Sequence, residues 1–324
     1  MTVVDRTTSA VAVTVDNFRR AETDRYFSNA VQDGGFGRLH HHRDLTPIDH
    51  QTVVRLNRDT LYSSGVFDLD AGPVRVTMPD AGNRFMSLMV VDQDHYVQEV
   101  VYGAGTHTYD RSRIATRYFM LAVRTLVNPD DPSDLNQVHA LQDAIRVEQA
   151  GTGTFEVPKW DPVSQKAVRD ALVVLGAGGV GGPGTFGRKE DVDPIKHLIG
   201  TAVGWGGNPA KDAIYVGGNP ARNDGTTVHR FTVKDVPVDG FWSVTVYNAE
   251  GYLEKNPNNA YSFNNLTAKP DPDGSITIQF GGCDGRAANC LPIVKGWNYT
   301  VRLYRPRAPI LDGSWKFPEA QAVG

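Results

Sequence analysis

Three observations predict a mainly β chain, with two antiparallel β-sandwich or jelly-roll-like domains joined by about three helices. Short apolar runs separated by turn residues fill positions 53–126, the same texture returns after residue 213, and apolar spacing of three to four residues is confined to the stretch between them. Strands repeat with period two and helices with period 3.6, so the change of texture marks a change of element. At 324 residues the chain exceeds what a single core usually serves. The expected division is a β domain over 1–127, a helical connector with a glycine-rich loop over 128–212, and a second β domain over 213–324.

In the first domain the runs 53–63, 74–78, 84–91, 96–102 and 117–126 read as strands. Between them stand Gly72-Pro73, Pro79-Asp80-Ala81-Gly82 and Gly103-Ala104-Gly105, which favour turns. In the connector Leu135, Val138, Leu141 and Ile145 recur at helical intervals. Asp161-Pro162 and Asp193-Pro194 each place a capping carboxylate before a proline at the first helical position. The second of these helices should stop at Gly204. Strands resume at 228–233, 242–247, 275–280 and 298–304.

A net charge of −4 gives no global attraction to nucleic acid or to an anionic membrane, so the expected partner is a small molecule. A homo-oligomer remains compatible with this composition. No window approaches about 18 uninterrupted apolar residues, and the first 18 residues, with Asp5 and Asp16, do not read as a signal peptide. The cytoplasm is the expected location. There Cys283 and Cys290 would be a reduced thiol pair in a turn, with a local disulfide the alternative for an exported protein.

Gly176-Ala177-Gly178-Gly179-Val180-Gly181 matches the dinucleotide pattern G-x-G-x-x-G, but it follows a helix and runs on into Gly182-Pro183-Gly184, which cannot open the helix that would hold a pyrophosphate. No cofactor is evident. A divalent metal could draw on His40, His42 and His50, although the glutamate that would complete a cupin-like set is missing and a solvated loop explains the histidines as well. G-x-S-x-G, S-x-x-K, H-E-x-x-H and C-x-x-C are absent from the chain.

The stretch Asn57-Arg58-Asp59-Thr60-Leu61-Tyr62-Ser63 is the most informative, because charged groups interrupt an apolar run. In a strand Asn57, Asp59 and Leu61 would face one way and Arg58, Thr60 and Tyr62 the other. Asp59 or Arg58 could staple two sheets or serve a ligand. His95, among Asp92 and Asp94, is a candidate base that neighbouring carboxylates would keep charged, or a satisfied turn histidine. Trp205 with Asn208, Trp242, Asn248, Tyr261 with Asn264, and Trp297 with Arg302 pair aromatic faces with polar groups, as a ring-binding pocket or an ordinary sandwich core would.

These stretches also carry a resemblance. The segment 57–63, Gly72-Pro73 and Arg84-Phe85-Met86-Ser87 resemble the bacterial domain of unknown function 1254. Gly204-Trp205-Gly206-Gly207-Asn208-Pro209, Phe241-Trp242-Ser243-Val244, Gly296-Trp297-Asn298-Tyr299 and Arg302-Leu303-Tyr304 resemble its usual companion, 1214. The resemblance implies two β-sandwich parts joined by helices and brings no mechanism with it.

Three functions fit. One is an enzyme of hydrolase or lyase type, with Asp59, His95, Arg58 and Tyr62 as catalytic candidates and Arg58 or Arg117 holding an anionic group. The second is a non-catalytic binding module for a sugar or other metabolite, using the tryptophan clusters and Asn57. The third is a metal-dependent enzyme. For each, the expected site lies where the two halves meet, roofed by the glycine-rich loop 176–187.

Overall fold

The computed structural model describes residues 10–51, 54–177 and 182–323. Val53 of the first predicted run, Gly178–Gly181 of the glycine-rich loop and residues 1–9 of the N-terminal segment lie outside them. The first half comprises α1 (Phe18–Gln32), β1 (His40–His41), β2 (Thr60–Asp68), β3 (Val74–Met78), β4 (Met86–Asp92), β5 (Val97–Tyr102), β6 (Gly105–Tyr109), β7 (Tyr118–Leu126), α2 (Pro132–Ala144) and β8 (Arg146–Gln149). Then come α3 (Pro162–Gly176) and α4 (Pro194–Val203). The second half holds β9 (Ala213–Gly218), β10 (His229–Val233), β11 (Trp242–Tyr247), β12 (Ser262–Asn264), β13 (Ile276–Phe280), β14 (Cys290–Leu291), β15 (Asn298–Tyr304), the short helix α5 (Ala308–Leu311) and β16 (Gln321–Ala322).

The mainly β architecture agrees with the sequence reading. Sheet β1-β2-β7-β4-β5 faces sheet β6-β3-β8, and Phe67, Val76, Leu88, Phe119 and Leu121 fill the space between them. Because side chains alternate along a strand, Val66, Met89, Met120 and Ala122 emerge on the other face of the larger sheet, where Phe27 and Ala30 of α1 cover them. The second half is a sandwich of β14-β13-β10-β16 on β12-β11-β15-β9, closed on Phe231, Val244, Phe280, Trp297 and Val301.

Strand β8, beyond residue 127, returns to pair with β3. Two expectations are corrected. The run 53–63 becomes a strand only from Thr60. Cys283 and Cys290 form a disulfide across an eight-residue turn, not a thiol pair. The Asp-Pro helix starts behave as expected: Asp161 accepts the Ser164 N–H and Asp193 those of Ile195 and Lys196.

Candidate functional site

Strand alternation builds the site. In β15, Tyr299, Val301 and Leu303 enter the sandwich core, which sends Asn298, Thr300, Arg302 and Tyr304 to the opposite face. Asn264, Ser243, Arg302 and Tyr215 stand opposite one another across β12, β11, β15 and β9, a polar row on that face. In the first half Tyr62, Arg124, Ser87 and Tyr102 form a matching row across β2, β7, β4 and β5. The two rows meet at the junction of the halves, beside an aromatic contact in which Phe85 packs on Phe241 and Tyr304 with ring centroids 5.0 and 5.2 Å away.

Residues 54–59 pass over the polar face as a strap. Arg55 donates to Asn298 Oδ1 (2.8 Å) and Thr300 Oγ1 (3.1 Å), and the Tyr247 hydroxyl donates to the Leu56 carbonyl (2.8 Å). Asn57 Nδ2 donates to Tyr304 Oη at 3.1 Å and to Tyr62 Oη at 3.4 Å. Asp59 Oδ1 accepts from Asn264 Nδ2 (3.2 Å), while Asp59 Oδ2 has no partner. Arg302 donates to Thr245 Oγ1, Tyr247 Oη and the Arg55 carbonyl. Arg58 turns away, donating to the Thr46 carbonyl with its guanidinium over the Tyr261 ring.

Burial governs the charges here. Asp59 is 1 % exposed, and desolvation raises its pKa above the usual carboxylate value against the opposing pull of Arg302, Ser243 and Asn264. Burial likewise keeps Tyr304 a protonated phenol, its pKa well above the ordinary tyrosine value. Arg124 is 7 % exposed and, among the described residues, forms no ion pair. It donates to the Gly206 carbonyl (2.8 Å) and weakly toward Met89 Sδ (3.8 Å), lies over the Tyr62 ring, and leaves Nε unpartnered.

Next to this interior lies a cleft of about 290 Å³, lined from the first half by Asn83, Arg84, Phe85 and Tyr102 and from the second by Gly240 and Arg305. Tyr102 donates to Asp212 Oδ1 (3.1 Å) and carries the Arg305 guanidinium on its ring.

Asn57, Asp59, Tyr62, Asn264 and Arg302 are thus brought together; other candidates are not. His95 Nε2 accepts the Gly206 N–H (2.8 Å), so its proton sits on Nδ1, bonded to Thr201 Oγ1 (2.8 Å). Both nitrogens are engaged. Burial, with His197 and Arg19 nearby, pushes its pKa well below the usual histidine value, the reverse of the charged form expected. Arg117 is held by Asp68 through two hydrogen bonds away from the junction. Trp242 and Trp297 lie inside the sandwich core, and Trp205 stacks on Tyr26 and donates to Thr23, so the tryptophans share no surface. Asn208 donates to Tyr215 Oη (3.0 Å), and Asn248 organises a turn. His40 and His42 meet edge to face, His41 bonds Ser63 and His50 is exposed. No three His, Cys, Asp or Glu side chains converge as a metal would need among the described residues.

The sequence reading missed Arg124, Tyr215 and Tyr304. Arg124 had a signal: it is the one charge in the apolar strand Tyr118–Leu126.

Comparison with known families places these elements. A model described as a protein of unknown function, DUF1254, matches residues 36–111, and a second, DUF1214, matches 214–308. The chain joins a DUF1254 part to a DUF1214 part. Among solved structures, the VPA0106 protein from Vibrio parahaemolyticus is 20% identical, with 96% of this chain and 98% of that chain covered at a TM-score of 0.72. An uncharacterized protein from Burkholderia cenocepacia is 15% identical, with 95% and 87% covered at 0.54. At these identities the likeness is one of fold. Comparison with curated proteins returns no match. The DUF1254 part supplies Asn57, Asp59, Tyr62, Phe85 and Tyr102, the DUF1214 part supplies Tyr215, Ser243, Asn264, Arg302 and Tyr304, and Arg124 falls between the two matched segments.

Proposed function

We propose that the junction is a small-molecule site at which Asp59 performs acid–base chemistry of hydrolase or lyase type. The observation that carries this reading is the concentration of polar atoms with incomplete hydrogen bonding there: Arg124 Nε and Asp212 Oδ2 are buried without partners, and Asp59 Oδ2 and Ser243 Oγ lie beside each other with no other group to meet them. A buried unsatisfied group costs about 1–3 kcal/mol, so such a cluster is retained where a ligand completes it. A carboxyl whose pKa is raised by burial exchanges a proton closer to neutral pH, as an acid or base requires. Arg124, and neither Arg58 nor Arg117, is placed to receive an anionic group.

Short-chain p-nitrophenyl esters provide a first hydrolysis probe. Asp59→Asn should lower turnover at least roughly 100-fold while the melting temperature stays within a few degrees. Full activity in the variant, or parallel loss of fold and activity, returns Asp59 to a structural role. Binding without turnover is favoured by one feature: Asn57, Tyr62 and Tyr215 reach solvent whereas Asp59 does not. Ligand-induced stabilisation with no product would support that second reading.

The Cys283–Cys290 disulfide favours an oxidising compartment over the cytoplasm. No helix among the described residues is long and apolar enough to cross a membrane. Protein taken from its native host under acid quench and treated with a maleimide before reduction should stay unlabelled; two labelled thiols would restore the cytoplasmic reading.

A further inference from the structure

The phenols around Arg124 have a common polarity. Tyr304 Oη accepts from Asn57, Tyr62 Oη accepts more weakly from the same amide, and Tyr215 Oη accepts from Asn208. None of the three hydroxyls donates to an acceptor among the described residues, so each keeps its own O–H free. All three lie within electrostatic reach of the Arg124 guanidinium. Asp59 and Asp212, the buried carboxylates near this junction, are already engaged, the first with Arg302 and Asn264 and the second with Tyr102. Three phenolic donors and a buried cation with a spare N–H thus gather in one place, and among the described residues no carboxylate hydrogen-bonds to any of them. Tyr62 is half-buried and Tyr215 is 42% exposed, so this group lies behind a rim that solvent reaches.

We propose that Arg124, with Tyr62, Tyr215 and Tyr304, binds the carboxylate of a small organic acid. A guanidinium offers planar paired N–H groups that match a carboxylate, and phenol donors on its flank fix the remaining lone pairs. A phosphate, with more charge and tetrahedral oxygens, would call for further cations. The inference rests on the reading of the junction as a ligand site and names the class of ligand; it does not depend on Asp59 being an acid or base.

The test uses the full chain with benzoate and acetate as probes, benzamide and acetamide as neutral counterparts, and inorganic phosphate, all at constant ionic strength. Calorimetric titration and thermal shift are read for wild type, Arg124→Gln and Tyr215→Phe. The expected result is that a carboxylate binds and its amide does not, with affinity falling roughly 10- to 100-fold in Arg124→Gln, as for a lost charged hydrogen bond, and several-fold in Tyr215→Phe. If Arg124→Gln fails to fold, Tyr215→Phe decides, since its side chain reaches solvent. Equal binding of amide and carboxylate, binding unchanged in Tyr215→Phe, or phosphate binding as tightly as carboxylate overturns the proposal. Carboxylate binding that persists in Asp59→Asn without turnover in wild type would sink the catalytic reading alone. Asp59-dependent turnover of neutral esters with no carboxylate binding would sink this one alone.

Discussion

Burial in this chain works on single carboxyls, and Asp92 gives the clearest case. It is 3% exposed, accepts hydrogen bonds from the backbone of Asp94 and Tyr96 and from Gln98, and its pKa is nonetheless raised to about 6, chiefly by desolvation. In the unfolded chain the same group titrates near the ordinary aspartate value, 3.8. Between those values the folded state holds a proton that the unfolded state has lost. Stability therefore falls as pH rises from about 4 to about 6 and is independent of this group above that window. Asp92→Asn removes the effect, with Gln98 free to turn its amide oxygen toward the new donor. Relative to wild type, the variant should gain roughly 3 kcal/mol between pH 4 and pH 7, two pKa units at 1.36 kcal/mol each. Denaturation curves that stay parallel across that range would show that the shift is not real. Asp59 is raised by the same cause, but there Arg302 opposes it.

At the scale of elements, legibility followed apolar periodicity. The strands Val74–Met78, Trp242–Tyr247 and Asn298–Tyr304 were read at their true limits because each is a dense β-branched or aromatic run closed by turn residues. Helix α1 is not legible because its buried apolar residues are divided between two surfaces, Phe18 and Ala21 toward α3 and α4 and Phe27 and Ala30 toward the sheet, with buried polar residues between them. Glu22 meets Arg169 and Gln165, Asp24 accepts from Gln93 and Trp160, and Thr23 accepts from Trp205. The two i, i+3 pairs, Phe18 with Ala21 and Phe27 with Ala30, do not line up as one apolar stripe. Strands β6 and β9 are diluted by glycine and polar residues, and β12, β14 and β16 are two or three residues long. Within the site, alternation explains both the hits and the misses. Trp242 and Ser243 are neighbours in sequence, yet one enters the sandwich core and the other reaches the junction. Sequence shows that two faces differ, whereas which face meets the other half depends on tertiary packing. Asp59, Asn264 and Arg302 could be proposed from their types, but Tyr215 and Tyr304 could be proposed only after the two rows were seen to face each other.

Across the whole molecule, each half completes the other's surface. The sheet β12-β11-β15-β9 buries an apolar face in its own sandwich and a polar one against the strap and the first half, so every residue of β11 and β15 is buried. A half on its own would leave Arg302, Ser243 and Asn264 in water and lose the contacts that orient them. The apolar part of this union is small: Phe85, Leu126, Ala213, Phe241 and Tyr304 form the cluster between the halves. Phe85 is its centre, meeting Phe241, Tyr304 and Tyr102. Truncating a buried phenylalanine to alanine costs about 3–5 kcal/mol, and for domains of 150–250 residues each kcal/mol lowers the melting temperature by about 2–4 °C. Phe85→Ala should accordingly melt roughly 6–20 °C below wild type. Because the contact it removes joins the halves, the single calorimetric transition expected of wild type should broaden or divide in the variant. A wild-type protein that already unfolds in two well-separated steps, or a variant whose melting point does not move, would mean that the halves are stable without each other. The facing polar rows would then be a surface contact and not part of a common fold.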